Sequence, residues 1–161
     1  MNGLDFRLKT EESLARKIKL ESESREISPQ EAESQITDAL RYTMLFPPDT
    51  FVDSAMATQA KMAELGYEQF DTKWSNYFQP GGAYQGYNTV MINKSTGQKF
   101  ELQYHTRESV VIKEQAHIMY NEFRELPSTS PRAQELWHGM ADLWSNYERP
   151  ANWERLPGVI K

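Results

Sequence analysis

The sequence predicts an α+β domain built on a small mixed β-sheet flanked by helices. Three observations point there. Lys99 to His105 alternates strictly, with Phe100, Leu102 and Tyr104 on one side and Glu101, Gln103 and His105 on the other. That period of two marks a strand with one face in the core. Tyr87 to Asn93 is also rich in strand-forming types, and the turn Lys94-Ser95-Thr96-Gly97-Gln98 joins the two into a hairpin. Around the hairpin the order reads helix, helix, strand, helix, strand, strand, strand, helix, helix.

Thr10 caps the first helix, whose first turn holds Glu11 and Glu12, where the helix dipole favours acids. Leu14 and Ile18 mark its apolar stripe, and Ser13 and Lys17 stand one turn apart on a neighbouring face. Residues 21–27 read as charged and irregular. Ser28-Pro29-Gln30-Glu31 is a capping box with proline at the first helical position, opening a helix that ends near Thr37. Asp38 stands at the mouth of a strand from Ala39 to Phe46. Pro47-Pro48-Asp49 stops that strand and starts a helix from Thr50 to Leu65. Its stripe is Val52, Met56, Ala60 and Ala63, and Gly66 is its stop signal.

Tyr67 to Trp74 reads as a strand, and Ser75 to Gly86 as a flexible loop carrying Pro80, Gly81, Gly82 and Gly86. That loop lacks the Gly-Lys-Ser/Thr ending of a Walker phosphate loop. Thr106 closes the central strand and caps a long helix with Ile112, Ala116, Met119 and Phe123 at helical spacing. Ser130-Pro131 opens a last helix whose Leu136, Met140, Leu143 and Tyr147 face the core. Trp153 to Lys161 reads as an irregular tail. There is no internal repeat, and the expectation is a single domain over 1–161, with a final helix and tail at 130–161.

At 161 residues the chain can close one core, and 39% hydrophobic with 25% charged residues suits a soluble globular protein. With no cysteine, disulfides, catalytic thiols and thiolate metal sites are excluded. A net charge of −5 argues against a broad grip on nucleic acid, though a local cationic pocket for a small anion is compatible with it. No apolar run is long enough for a membrane span, and Met1 to Arg7 lacks the apolar stretch of a signal peptide. His105, His117 and His138 do not form a zinc set. Trp137, Trp144 and Trp153 read as packing residues.

Four motifs together resemble the synthetase domain of the RelA/SpoT family, a nucleotidyltransferase-like fold whose members make alarmone nucleotides. Arg7-x-Lys9-Thr10-x-Glu12-Ser13-Leu14-x-x-Lys17-Ile18 is similar to the family's Arg-x-Lys-Ser-x-x-Ser-Ile-x-x-Lys-Leu pattern, which binds ATP. Asp38, opening a strand, resembles its metal-binding aspartate. Gly86-Tyr87-Asn88-Thr89 resembles Gly-Tyr-Arg/Gln-Ser, whose tyrosine stacks on the acceptor base. Glu101-Leu102-Gln103-Tyr104-His105-Thr106 resembles Glu-Ile-Gln-Ile-Arg-Thr, which holds the catalytic glutamate. The match spans residues 7–125.

Three departures stand out. Arg41 sits earlier than in the usual Asp-x-x-Gly-x-Arg arrangement, His105 replaces an arginine, and Pro80-Gly81-Gly82 replaces Pro-Lys. All three resemble the toxin branch, found in phage-head polymorphic toxins and a type VI secretion effector. His105-Thr106-Arg107-Glu108-Ser109, with Lys113 and His117 beyond, is similar to that branch's His-Thr-Pro-Glu-Ser helix start.

The resemblance implies a magnesium-dependent pyrophosphokinase. It transfers pyrophosphate from ATP to the 3′-hydroxyl of adenine nucleotides (ADP or AMP), giving (p)ppApp and depleting ATP. Alternatives on the same fold are a small (p)ppGpp synthetase using GDP or GTP, and a tRNA pyrophosphokinase, which the acidic balance disfavours. The toxin branch further implies a bacterial secreted effector module acting in the target-cell cytoplasm, with an immunity protein as partner. Asp38 and Glu101 are the expected catalytic and metal-binding residues, since hard carboxylate oxygens suit magnesium. The ATP set is Arg7, Lys9, Ser13, Lys17, Arg41 and Lys73. The acceptor set is Tyr87, Asn88, Gln103, His105, Thr106 and Lys113. Two positions stay open: Tyr87 is a stacking platform or core, and His105 contacts substrate or bonds the following helix.

Overall fold

The computed structural model describes residues 7–70 and 75–160. The elements are α1 (Glu11–Arg25), α2 (Pro29–Gln35), β1 (Arg41–Leu45), α3 (Phe51–Glu64), β2 (Tyr67–Gln69), β3 (Ser75–Asn76), β4 (Tyr87–Asn93), β5 (Lys99–His105), α4 (Arg107–Phe123), α5 (Pro131–Trp144), a 3-10 turn (Trp153–Arg155) and β6 (Val159–Ile160). The strands run β1-β5-β4-β3-β6, with β2 also on β4. β1 is parallel to β5 and β6 to β3, whereas β4 is antiparallel to β5, β3 and β2. The expected mixed sheet with flanking helices is therefore observed.

Local chemistry explains most boundaries. Side chains of Thr10, Ser28, Thr106 and Ser130 each accept a bond from the backbone N–H three residues on, capping α1, α2, α4 and α5. Gly66 ends α3 at φ +83°, a left-handed conformation that glycine adopts without a Cβ clash. The hairpin turn is held by Asn93, whose Oδ1 accepts from the N–H groups of Ser95 and Thr96, and Gly97 takes φ +72°.

Several expectations need correction. Residues 21–25 are helical, because the i,i+4 pairs Lys19–Glu23 and Glu21–Arg25 support α1 where it has no buried side chain. Leu14 and Ile18 are accordingly only half-buried. The buried positions of α3 are Phe51, Val52 and Ala55, while Met56 is exposed. The apolar stripe starts one residue earlier than the periodicity suggested, because Phe51 at the first turn packs on Phe46 and Phe78. The segment from Ser75 to Gly86 is a packed element: it begins with β3, and Phe78, Ala83 and Gln85 are buried. Asn76 anchors it by donating to the Trp153 carbonyl at 3.0 Å. The described part of the tail, residues 153–160, is not irregular either, since Val159–Ile160 pairs with β3 as an added strand.

One sheet face carries Tyr42, Met44, Phe100, Leu102, Tyr104, Tyr87 and Met91, packed with Phe51, Val52 and Ala55 of α3. Each fully buried aromatic there contributes roughly 1.5–3 kcal/mol. The other face carries Arg41, Thr43, Glu101, Gln103, His105 and Asn88, as the registers of β1, β5 and β4 require. This polar face is not solvated. Gln103 and His105 are 6% and 0% exposed, so β5 is buried on both sides beyond Leu102. The chain turns back after Thr106 so that α4 covers the polar face. Among the described residues no helix is long and apolar enough to cross a membrane.

Candidate active site

Asp38 and Glu101 meet because β1 and β5 are parallel. Their register sets Arg41 opposite Glu101, and Asp38 lies just upstream of Arg41. The Arg41 guanidinium bridges the two acids: Nε donates to Glu101 Oε2 and Nη2 to Asp38 Oδ2 at 3.2 Å. Residues 7–9 run antiparallel beside Leu40, with Lys9 N–H on the Ala39 carbonyl at 2.9 Å and Arg41 N–H on the Arg7 carbonyl at 2.7 Å. That pairing carries Lys9 Nζ to 3.2 Å from Asp38 Oδ2. From α1, Lys17 Nζ donates to Asp38 Oδ1 at 2.6 Å. The acids are mostly enclosed, their side chains 16% and 14% exposed.

Burial works to raise the Asp38 carboxyl, but the hydrogen bond and charge of Lys17, with the charges of Lys9 and Arg41, hold it below the usual aspartate range. Burial likewise works against the Arg41 cation, and Glu101 outweighs it. Lys113 of α4 donates to Gln103 Oε1 at 3.0 Å, and burial followed by the charge of Arg41 lowers its amine. Four cationic side chains (Lys9, Lys17, Arg41, Lys113) thus surround two carboxylates in a chain whose net charge is −5.

The second Glu101 oxygen leads into a buried polar chain. Asn88 Nδ2 donates to Glu101 Oε1 at 3.2 Å, and Tyr84 Oη donates to Asn88 Oδ1 at 2.9 Å. Tyr84 Oη also lies 2.9 Å from His105 Nε2, while His105 Nδ1 lies 2.9 Å from Ser109 Oγ. Ser109 completes the α4 capping box with Thr106, whose Oγ1 reaches Tyr147 Oη at 3.2 Å. Gly86 is a contact point: a Cβ there would lie 2.7 Å from His105 Cε1 and 2.8 Å from Tyr84 Oη.

Burial, with the nearby charge of Lys113, pushes the His105 imidazole down to about 3. An unfolded histidine titrates near 6.5, so between those values the unfolded chain binds the additional proton. Stability from this group is complete above about pH 6.5 and falls by about 1.4 kcal/mol per pH unit on acidification. Urea unfolding at pH 7.5 and 5.5 should therefore show a larger loss for the parent than for His105→Gln. Equal losses would mean that His105 is not held neutral by the fold.

The structure brings together Lys9, Lys17, Asp38, Arg41, Asn88, Glu101, Gln103 and Lys113. Tyr87 is not among them. It points to the opposite face, 0% exposed, its ring 5.3 Å from that of Tyr104 and its hydroxyl accepting from Gln59 at 3.0 Å. In this structure Tyr87 is a core residue. His105 and Thr106 are buried too, bonded to the start of α4 and to Tyr84 instead of facing an open cleft. Arg7 contributes its carbonyl to β1, and Ser13 places its N–H on Thr10 Oγ1 at 3.2 Å. Lys73 lies outside the described residues. The sequence assigns no role to Tyr84, since a tyrosine in a Gly-rich loop has a common local explanation, and it shows Ser109 only as the last residue of the His105-Thr106-Arg107-Glu108-Ser109 motif.

Among the described residues no cluster of three acidic or histidine ligands occurs. Two hard carboxylates beside a cationic cradle nevertheless fit magnesium, which takes one or two protein carboxylates and completes its shell with phosphate and water. Asp38 and Glu101 would hold it.

No protein-family profile matches the sequence, and no curated protein matches it. Solved structures do. A GTP pyrophosphokinase family protein from Streptococcus pneumoniae superposes with a TM-score of 0.54 at 17% identity, over 86% of this chain and 69% of that one. Small alarmone synthetase 1 from Bacillus subtilis, bound to its product pppGpp, gives 0.55 at 16% identity, over 84% and 69%. The chain has the α+β fold of these pyrophosphokinases and alarmone synthetases.

Proposed function

We propose that the chain is an ATP:nucleotide 3′-pyrophosphotransferase. The observation that carries this is the convergence of Lys9, Lys17 and Arg41 on Asp38, beside Glu101, on one face of a sheet of this fold. Lys9, Lys17 and Arg41 bind the triphosphate, exchanging carboxylate oxygens for phosphate oxygens. Glu101 takes the proton of the acceptor 3′-hydroxyl. The 3′-oxygen bonds to the β-phosphorus of ATP, the bond from that phosphorus to the α,β-bridging oxygen breaks, and AMP leaves. Magnesium on Asp38 and Glu101 would neutralise charge on the phosphates. Gln103 and Asn88, tethered to Lys113 and Tyr84, line the acceptor side.

The acceptor we propose is an adenine nucleotide, and the role that of a toxin with an immunity partner. Support comes from the toxin-like Arg41 placement, His105 and the Pro80-Gly81-Gly82 loop. Buried hydrogen-bonding groups that mismatch a substrate change selectivity by orders of magnitude, so such substitutions are sufficient to alter base choice. The assay is purified protein with ATP, magnesium and each of AMP, ADP, GDP and GTP, resolved by chromatography. ATP consumed with none of them refutes the activity. With equal ADP and GDP competing for limiting ATP, predominant ppGpp refutes the adenine reading in favour of a product like that of the Bacillus subtilis neighbour.

Lys9→Ala and Lys17→Ala should each raise the KM for ATP far more than that for the acceptor. A lost charge-assisted phosphate contact costs roughly 1.5–3 kcal/mol, or about tenfold and upward. Steady-state kinetics with each substrate varied in turn decides this, and equal effects on both would remove these lysines from the donor site.

A further inference from the structure

We propose that Tyr84, His105 and Ser109 are positioning residues for Glu101, forming a one-way chain of donors that runs from the start of α4 to the carboxylate. This inference rests on the reading of Glu101 as the base.

The direction follows from counting protons. A carboxylate ion-paired to Arg41 can only accept, so the Asn88 amide must present Nδ2 to Glu101 Oε1, at 3.2 Å. Its Oδ1 then faces Tyr84, whose hydroxyl donates at 2.9 Å. A phenol has one proton, so the other contact of Tyr84 Oη, 2.9 Å from His105 Nε2, requires that nitrogen to be the donor. A neutral imidazole protonated at Nε2 has a bare Nδ1, which accepts from Ser109 Oγ at 2.9 Å. Ser109 Oγ in turn accepts the Thr106 N–H at 2.9 Å, and its alternative acceptor, the Thr106 carbonyl, is farther away at 3.2 Å. With Tyr84 donating to Asn88, each further link follows from it, and the Ser109 proton goes to the nearer His105 Nδ1 in place of the Thr106 carbonyl; the chain ends on the oxygen not used by Arg41.

The surroundings hold this chain still. His105 and Ser109 are both 0% exposed. Edge contacts fix the Tyr84 ring against Tyr77 at 5.1 Å, His105 at 5.6 Å and Trp144 at 6.1 Å between centroids. Gly86 leaves no room for a side chain between Tyr84 and His105. Rotating Asn88 would break two of these bonds at once, so Glu101 keeps Oε1 anchored when Arg41 moves to phosphate. Groups that orient a catalytic carboxylate act on turnover more than on binding.

The test compares the parent with Tyr84→Phe, His105→Leu and His105→Gln, the last keeping a donor near the Nε2 position. Tyr84→Phe and His105→Leu should lower kcat on the order of 10–100-fold, with KM for both nucleotides within about threefold. His105→Gln should recover most of that loss. Independently of activity, nitrogen-15 NMR of the parent imidazole at pH 7 should show the tautomer protonated at Nε2. Circular dichroism and thermal melting certify that each variant is folded. A folded His105→Leu with parental kcat, a His105→Gln no better than His105→Leu, or an imidazole protonated at Nδ1 would each overturn the proposal. If the parent transfers no pyrophosphate, the activity reading fails, and the tautomer still decides whether the chain of donors exists.

Discussion

Glu101→Gln is expected to abolish pyrophosphate transfer while leaving the fold intact. The substitution keeps side-chain shape on a strand whose opposite face, Phe100, Leu102 and Tyr104, carries the packing. The amide oxygen can still accept from Arg41, and Arg41 keeps Asp38 as a second partner, so no buried cation is stranded. What disappears is the negative charge and the ability to take a proton. General-base catalysis is worth about 10²–10⁴ in rate, and loss of the oxygen proposed to hold magnesium would add to that. The check is a single-turnover assay beside a thermal melt: a folded variant that transfers at the parental rate would remove Glu101 from the mechanism.

Asp38→Asn is expected to separate binding from turnover. Lys9, Lys17 and Arg41 all lie within 3.2 Å of Asp38 oxygens, so on the proposed mechanism Asp38 competes with phosphate for them. Neutralising it frees Lys9 and Lys17 and loosens Arg41, which keeps Glu101 as its partner, so ATP without metal should bind about tenfold tighter, equivalent to about 1.4 kcal/mol. Transfer in magnesium should nevertheless fall by about 10² or more, because a carboxylate ligand near the reacting phosphates is gone. Calorimetric titration of ATP in EDTA, alongside the transfer assay, measures both. Weaker metal-free binding would mean that the lysines hold Asp38 for structural reasons and do not wait for phosphate.

The reason some of this was legible in the sequence is local. Caps such as Thr10, Ser28, Thr106 and Ser130 act within four residues, and the period of two in Lys99–His105 needs no distant partner. Lys9, Lys17, Asp38 and Glu101 were legible through a motif order that matches their observed convergence. What escaped depends on the tertiary setting. Whether Tyr87 faces the cleft or the core is a question of strand register, and β4 pairs with β5 so that Tyr87 opposes Tyr104, on the face away from Glu101. The burial of Gln103 and His105 depends on where α4 settles after Thr106, which alternation along the strand does not encode. Tyr84 meets His105, a residue 21 positions away, only because Gly86 carries no side chain between them.

The parallel pairing of β1 with β5 also orders how the molecule comes into being. The hairpin of β4 and β5 closes across a short turn, so its loop-closure entropy is small and its formation is a local event. Arg41 and Glu101 are 60 residues apart, so aligning them closes a long loop that contains α3, β2, β3 and β4. Lys9 depends on β1 in the same way, because residues 7–9 pair with the edge of that strand and so carry the Lys9 side chain to Asp38. Such long-range contacts are the slow step of folding in chains of this kind. A chain with only its local elements formed therefore contains every residue of the site and none of its geometry.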